Sequence, residues 1–223
     1  MRIGLGTLIF FAFCFLLGTP AAAQNDGATA TVPAHVLHIR KVASPEIHLD
    51  GNLDEPVWQT IAPITKLTQT TPVEGGEPSQ KTEARIFYDA DNLYMGFKCY
   101  DDPNKVTRRL AAHDGRSNSD SIDFMLDTFR DRRTGYWFSV TAAGVQWDGT
   151  LNEASGLGGF ESMDFSWDGI WYSAVAQHDW GWSLEVMLPF KSIRLAKDRT
   201  QEWGFNFGRE ITRNNEFDYW VPV

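Results

Sequence analysis

Three carboxylates crowd the stretch "NSDSIDFMLDTF" (118–129): Asp120, Asp123 and Asp127. Paired acids are the apparatus of glycoside hydrolysis, which needs two carboxyl groups about 5–10 Å apart across a cleft. The spacing here argues against that chemistry. On a strand, Asp123 and Asp127 stand about 13 Å apart, and no other acid offers itself as a partner. A second acidic stretch, "IHLDGNLDEPVW" (47–58), lacks the D-x-D-x-D-G pattern and distal Glu of a calcium-binding EF-hand loop. It reads as structure: Asp50-Gly51 turns the chain, Asp54 caps a short helix with Pro56 in its first turn, and Leu53 and Trp58 dock on the core. Acids of the 118–131 region, with Asp148, Asp164 and Asp168, could supply oxygen ligands to a structural calcium. No G-x-S-x-G, H-E-x-x-H or G-x-x-x-x-G-K-[ST] occurs, so serine-hydrolase, zinc-protease and nucleotide chemistry find no support.

The elements that must position these residues read as strands. "ARIFYD" (84–89) and "LYMGFKCYD" (93–101) flank a "DADN" turn as a hairpin. In "SIDFMLDTF", Ile122, Phe124 and Leu126 share one face, and Asp123, Met125 and Asp127 the other. In "GYWFSVTAAG", Phe138 and Val140 oppose Trp137, Ser139 and Thr141. "WSLEVMLP" buries Trp182, Leu184, Val186 and Leu188, leaving Glu185 on the polar side for an ion pair with a neighbouring Arg. "WGFNFGREI" buries Trp203, Phe205 and Phe207, with Asn206 and Glu210 on its polar side. "FKSIRL" after Pro189 makes one helical turn. Half-buried alternation with turns between predicts an all-β chain, an antiparallel β-sandwich over residues 37–223. Its core should contain Ile122, Phe124, Leu126, Phe138, Val140, Leu184, Val186 and Phe205.

Residues 1–23 have the pattern of an export signal: Arg2, an apolar run from Leu8 to Leu17, and Ala21-Ala22-Ala23 before Gln24. Residues 24–36 read as a linker. The expected destination is the periplasm, outer membrane or cell surface. The formal charge is −9 at pH 7, and more negative without Arg2, which disfavours nucleic acid as a partner. Of the 2 cysteines, only Cys99 survives export. No intrachain disulfide can then form, and Cys99 shares the core face with Leu93, Met95 and Phe97.

Together, "LDGNLDEPVW", "NSDSIDFMLDTFRDRRTGYWFSV" and "GWSLEVMLPFKSIR…WGFNFGREITRNNE…W" resemble the family 9 carbohydrate-binding module across roughly residues 45–220. The nearest subgroup carries a C-terminal outer-membrane-type β-barrel, in keeping with a final "DYWVPV" that reads as a strand continuing past Val223. The resemblance implies a non-catalytic β-sandwich serving carbohydrate catabolism. Such a module holds a sugar between two Trp rings, with polar side chains on its hydroxyls and calcium often nearby. Carried over by position, the strand carboxylate is Asp123 and the second ring is Trp220. The first ring's position holds Ser117, and the basic and amide positions of the next strand hold Ser139 and Thr141. Trp137 is the substitute platform, and Asn206 and Glu210 complete the slot. With one ring missing, the expected partner is a weakly bound glycan, and Ser117→Trp should tighten it. The alternatives are part of a glycoside hydrolase, or a haem-binding sandwich of the same fold, whose relatives bind haem through Met with His or Lys; here Met125 is on the right face, Met95 on the core face and His113 in a loop.

Overall fold

The computed structural model describes residues 8–12, 35–112, 118–152, 162–198 and 200–222. Among these residues thirteen strands and one short α-helix follow in chain order: β1 (Leu8–Ala12), β2 (Val36–Lys41), α1 (Pro56–Gln59), β3 (Thr68–Thr71), β4 (Thr82–Tyr88), β5 (Asn92–Tyr100), β6 (Ser121–Asp127), β7 (Thr134–Thr141), β8 (Gln146–Asn152), β9 (Met163–Asp164), β10 (Tyr172–His178), β11 (Gly181–Pro189), β12 (Glu202–Ile211) and β13 (Glu216–Tyr219). They form two layers. One runs β10-β11-β5-β4-β2 and the other β12-β6-β7-β8-β9, with β1 paired between β2 and β12. The pair β13-β3 extends β12 beyond the reach of β1. Residues 8–12 belong to the expected leader and β2 begins at Val36, inside the expected linker.

The alternation in the sequence decides what lies between the layers. Ile122, Phe124, Leu126, Phe138, Val140, Leu184, Val186 and Phe205 are all buried in one cluster. Phe124 stacks on Phe138 at 4.9 Å, and Trp171 meets both rings edge-on. Such pairs add to the burial of apolar area that drives the layers together. Cys99 is free and buried here, its thiol pushed up to about 12 by burial. That suits an inert core cysteine. A 3₁₀ turn at Phe190–Ser192 follows Pro189, as the sequence predicts.

The stretch 47–58 is a strap over the outer face of the β11 layer. Gly51 takes φ +91°, and a Cβ there would lie 2.5 Å from the Ala176 backbone nitrogen, so only glycine lets the strap approach. Asp50 Oδ1 accepts from Asn52 N at 2.9 Å and closes the turn. The helix starts at Pro56, with Glu55 rather than Asp54 at its N-cap, because Glu55 Oε1 is drawn back to accept from His48 N at 2.8 Å. Leu53 and Trp58 are buried in a second, smaller cluster with Ile61, Phe87 and Tyr94. Among the described residues Glu185 forms no ion pair with an Arg. Its carboxylate accepts from Gly51 N at 2.8 Å, Asp50 N at 3.0 Å and Trp58 Nε1 at 2.9 Å. The strap covers this polar position, and its donors replace the expected cation.

A second polar clamp ties the layers together. Arg209, on the core side of β12, is buried and reaches across to donate to Lys81 O, Thr82 Oγ1, Tyr100 O and Asp101 Oδ2. Asp101 also takes both nitrogens of Arg213, at 2.8 and 2.9 Å. Opposite Arg209 in the β12–β13 register sits Asp218, fully buried, and among the described residues no basic or backbone group donates to either of its oxygens. Burial first, and the neighbouring Glu216 second, push its carboxyl up to about 7. The folded chain therefore holds the Asp218 proton more tightly than the unfolded chain does. That contribution is full below about pH 4 and fades as pH rises through about 7. Urea unfolding of Asp218→Asn should show a higher midpoint than the parent at pH 8 and a smaller loss between pH 4 and 8. Equal pH profiles in the two proteins would refute this.

Candidate functional site

The outward face of the β12 layer brings the candidate residues together. Pairing register fixes one row across five strands: Tyr219 (β13), Gly208 (β12), Asp123 (β6), Ser139 (β7) and Trp147 (β8). A neighbouring row holds Phe217, Glu210, Ser121 and Thr141. Because side chains alternate along a strand, all of these point away from the Phe124 core.

Asp123 lies midway along this row. Ser121 Oγ faces its Oδ1 at 3.4 Å, and Ser139 also hydrogen-bonds the carboxyl. Burial nevertheless outweighs both and pushes the carboxyl up to about 6. Gly208, directly opposite, is the gap that admits a ring. A Cβ there would lie 2.7 Å from Cδ1 and Cε1 of Tyr219, so the phenol lies flat against the strand. Burial, then the charges of Asp123 and Glu210, raise the Tyr219 phenol well above its ordinary range. Tyr219 and Glu210 are half-buried. The three side chains offer two carboxylates and a hydroxyl beside an aromatic face.

At the other end of the row stand Trp147, Phe165 and Trp137. Trp147 stacks on Phe165 at 4.6 Å, and both rings meet Trp137 edge-on. Trp137 is on the predicted face but buried beneath these two, so the substitute platform is covered. Trp147 and Phe165 are the half-buried rings of the group. Asn206 also lies on this face, but its amide is committed. It donates to Val221 O at 2.9 Å and accepts from Val221 N at 3.1 Å, fastening the chain after β13.

Trp220, the expected second ring, is on the opposite side. It is buried against Phe207 and Phe205 in the core, with ring centroids 6.1 and 5.8 Å away. The 3₁₀ turn Thr212–Asn214 and the left-handed Asn215 set the phase of β13. In that phase Glu216, Asp218 and Trp220 face inward, and Tyr219 takes the outward place. Neither Tyr219 nor Trp147 stood out in the sequence. The only signal for Tyr219 was its alternation with Phe217, and that means nothing until the register with Gly208 is known.

The other acids have structural duties. Asp120 is buried and accepts from Thr212 N at 3.0 Å. Asp127 accepts from Phe129 N, Asp131 N and Arg132 N, organising the turn in which Arg130 and Arg132 are left-handed. Neither turns toward Asp123, so the paired-carboxylate arrangement of a hydrolase is not formed by these three. Asp148 Oδ2 takes Trp171 Nε1 at 2.6 Å, and Asp164 Oδ1 takes Ser166 N and Oγ. Among the described residues no three His, Cys, Asp or Glu gather as a metal cluster. Ser117 and His113 lie outside the described residues.

Residues 49–215 match the family described as carbohydrate family 9 binding domain-like. Solved structures of similar fold include a family 9 carbohydrate-binding module from Caldicellulosiruptor kristjanssonii in complex with cellotriose, at 14% identity and TM-score 0.53, covering 81% of this chain and 83% of that one. A complex of such a module from the same organism with glucose aligns at 12% identity and TM-score 0.53, covering 81% and 85%. A Bacteroides uniformis protein described as carbohydrate-binding aligns at 14% identity and TM-score 0.61, covering 83% and 88%. No curated protein matches.

Proposed function

The chain belongs to the carbohydrate family 9 binding domain-like family, and from that premise we propose that it is a non-catalytic module that binds a short glycan across the outward face of β13, β12, β6, β7 and β8. The observation that carries this is the row itself, with a carboxylate, Asp123, flanked by the Tyr219 ring over Gly208 and by Trp147. Sugar C–H faces stack on aromatic rings, and charged acceptors fix the hydroxyls. The similar modules hold glucose and cellotriose, so these are the first ligands to test. The proposal places the module on an exported envelope protein that takes part in carbohydrate catabolism, with a β-barrel elsewhere in the parent chain.

Titration calorimetry with cellotriose tests the site. Tyr219→Ala should cost about 1–3 kcal/mol, the value of one lost aromatic stack. Trp220→Ala should instead lower stability and leave the affinity of the folded fraction unchanged. Full binding by Tyr219→Ala would place the sugar elsewhere.

Asp123 adds a pH signature. With its carboxyl near 6, the charged acceptor is present above that pH and lost below it. Cellotriose affinity should therefore fall between pH 7 and pH 5, approaching tenfold per unit below 6. Asp123→Asn should bind weakly and without this slope. A sloping profile in Asp123→Asn would assign the titration to another group.

A further inference from the structure

We propose that the row across β13, β12, β6, β7 and β8 takes an extended run of five β-1,4-linked pyranoses, the first stacked on Tyr219 and the fifth on Trp147. The inference rests on the glycan reading of this face and adds to it the length and linkage of the ligand. Register supplies the ruler. Tyr219 pairs with Gly208, Gly208 with Asp123, Asp123 with Ser139, and Ser139 with Trp147. Four strand spacings therefore separate the two rings, about 19 Å. One pyranose of an extended β-1,4-linked chain advances by about one such spacing. A chain crossing the strands then places one sugar over each, and the fifth is the first to touch both rings' ends of the row.

The side chains along the row suit such a chain. The two large rings stand at its ends, and the positions between hold only Gly208, Asp123 and Ser139. Gly208 and Ser139 are buried, which leaves a low floor between the rings. Asp123 holds the central position, where its carboxylate meets the hydroxyls of the third sugar. Trp147 is fixed by Phe165 stacked on it at 4.6 Å and by Trp137 at right angles, 5.1 Å away. A ring already held in place loses little freedom when a sugar stacks on it. The linkage follows from the straightness of the row. A β-1,4 link joins equatorial bonds and keeps the chain extended, whereas an α-1,4 link coils it off the sheet. A trisaccharide reaches from one ring only as far as Asp123. It takes the Tyr219 end, where a ring and a hydroxyl both lie near that carboxylate.

Titration calorimetry of the full chain with cellobiose through cellohexaose reads the length. The largest step should fall between cellotetraose and cellopentaose, about fivefold or more for one added aromatic stack, with no further gain at cellohexaose. Maltotetraose and maltopentaose should not differ. Trp147→Ala should erase the step at five and leave cellotriose affinity unchanged. If that variant does not fold, the assigned indole N–H signal of Trp147 is followed by NMR in the parent protein. It should shift with cellopentaose and stay still with cellotriose. Four results overturn the proposal: a cello series with no step at five, a step that survives Trp147→Ala, a Trp147 signal that moves with both ligands or with neither, or the same step in the malto series. Where cellotriose still binds, the glycan reading survives any of these. If no member of the cello series binds, both fall.

Discussion

Glu185→Ala should lose about 3–5 kcal/mol of folding stability, the range for stripping the partner from buried charge-assisted hydrogen bonds. The side chain is fully buried and is the acceptor for Asp50 N, Gly51 N and Trp58 Nε1. Alanine leaves three donors without their acceptor, those of Gly51 and Trp58 in buried positions. A domain typically has 5–15 kcal/mol in total, so urea unfolding should show a large drop in midpoint. Glu185→Gln keeps one acceptor oxygen and should lose less. The strap lies on the layer opposite the Asp123 face, so the folded fraction of Glu185→Ala should keep its cellotriose affinity. A midpoint shift under about 1 kcal/mol would mean that the strap is held by Leu53 and Trp58 packing alone.

Arg209→Met should be comparably severe, about 3–4 kcal/mol by the same reasoning. Methionine fills most of the volume but donates nothing. The carbonyl of Tyr100 loses both guanidinium donors, Lys81 O keeps only the Tyr100 amide, and Asp101 keeps Arg213. Arg209 also lowers the Asp218 carboxyl. Without it the Asp218 proton is held still more tightly, so the penalty should grow from pH 5 to pH 8. Differential scanning calorimetry across that range measures it, and a pH-independent penalty would show that Asp218 does not sense Arg209.

The layers were legible because alternation is local. Ile122, Phe124 and Leu126 announce a buried face in seven residues, and each lies where the pattern puts it. Glu185 was misjudged because the strap that covers it comes from more than a hundred residues earlier, and nothing near "WSLEVMLP" hints at a lid. The site was half legible. Asp123 stands on the predicted face with Ser139 and Thr141. Trp220 and Tyr219 are adjacent, and choosing between them needs the phase of a four-residue strand set by a left-handed Asn215. Trp137 had the right face, but Trp147 and Phe165 bury it only after β8 and β9 fold back.

The pairing order has a kinetic consequence. The central ladder of one layer joins Leu93 to Leu188, and that of the other joins Leu126 to Phe205. Both close loops of some eighty residues or more before any contact rewards them. Sandwiches built this way fold in milliseconds to seconds rather than microseconds. The hairpins β4–β5 and β6–β7 form locally, and then wait for partners synthesised much later. During that interval the apolar faces of Phe97 and Phe124 are uncovered. Refolding yield should therefore fall steeply with protein concentration, even where the equilibrium strongly favours the native state.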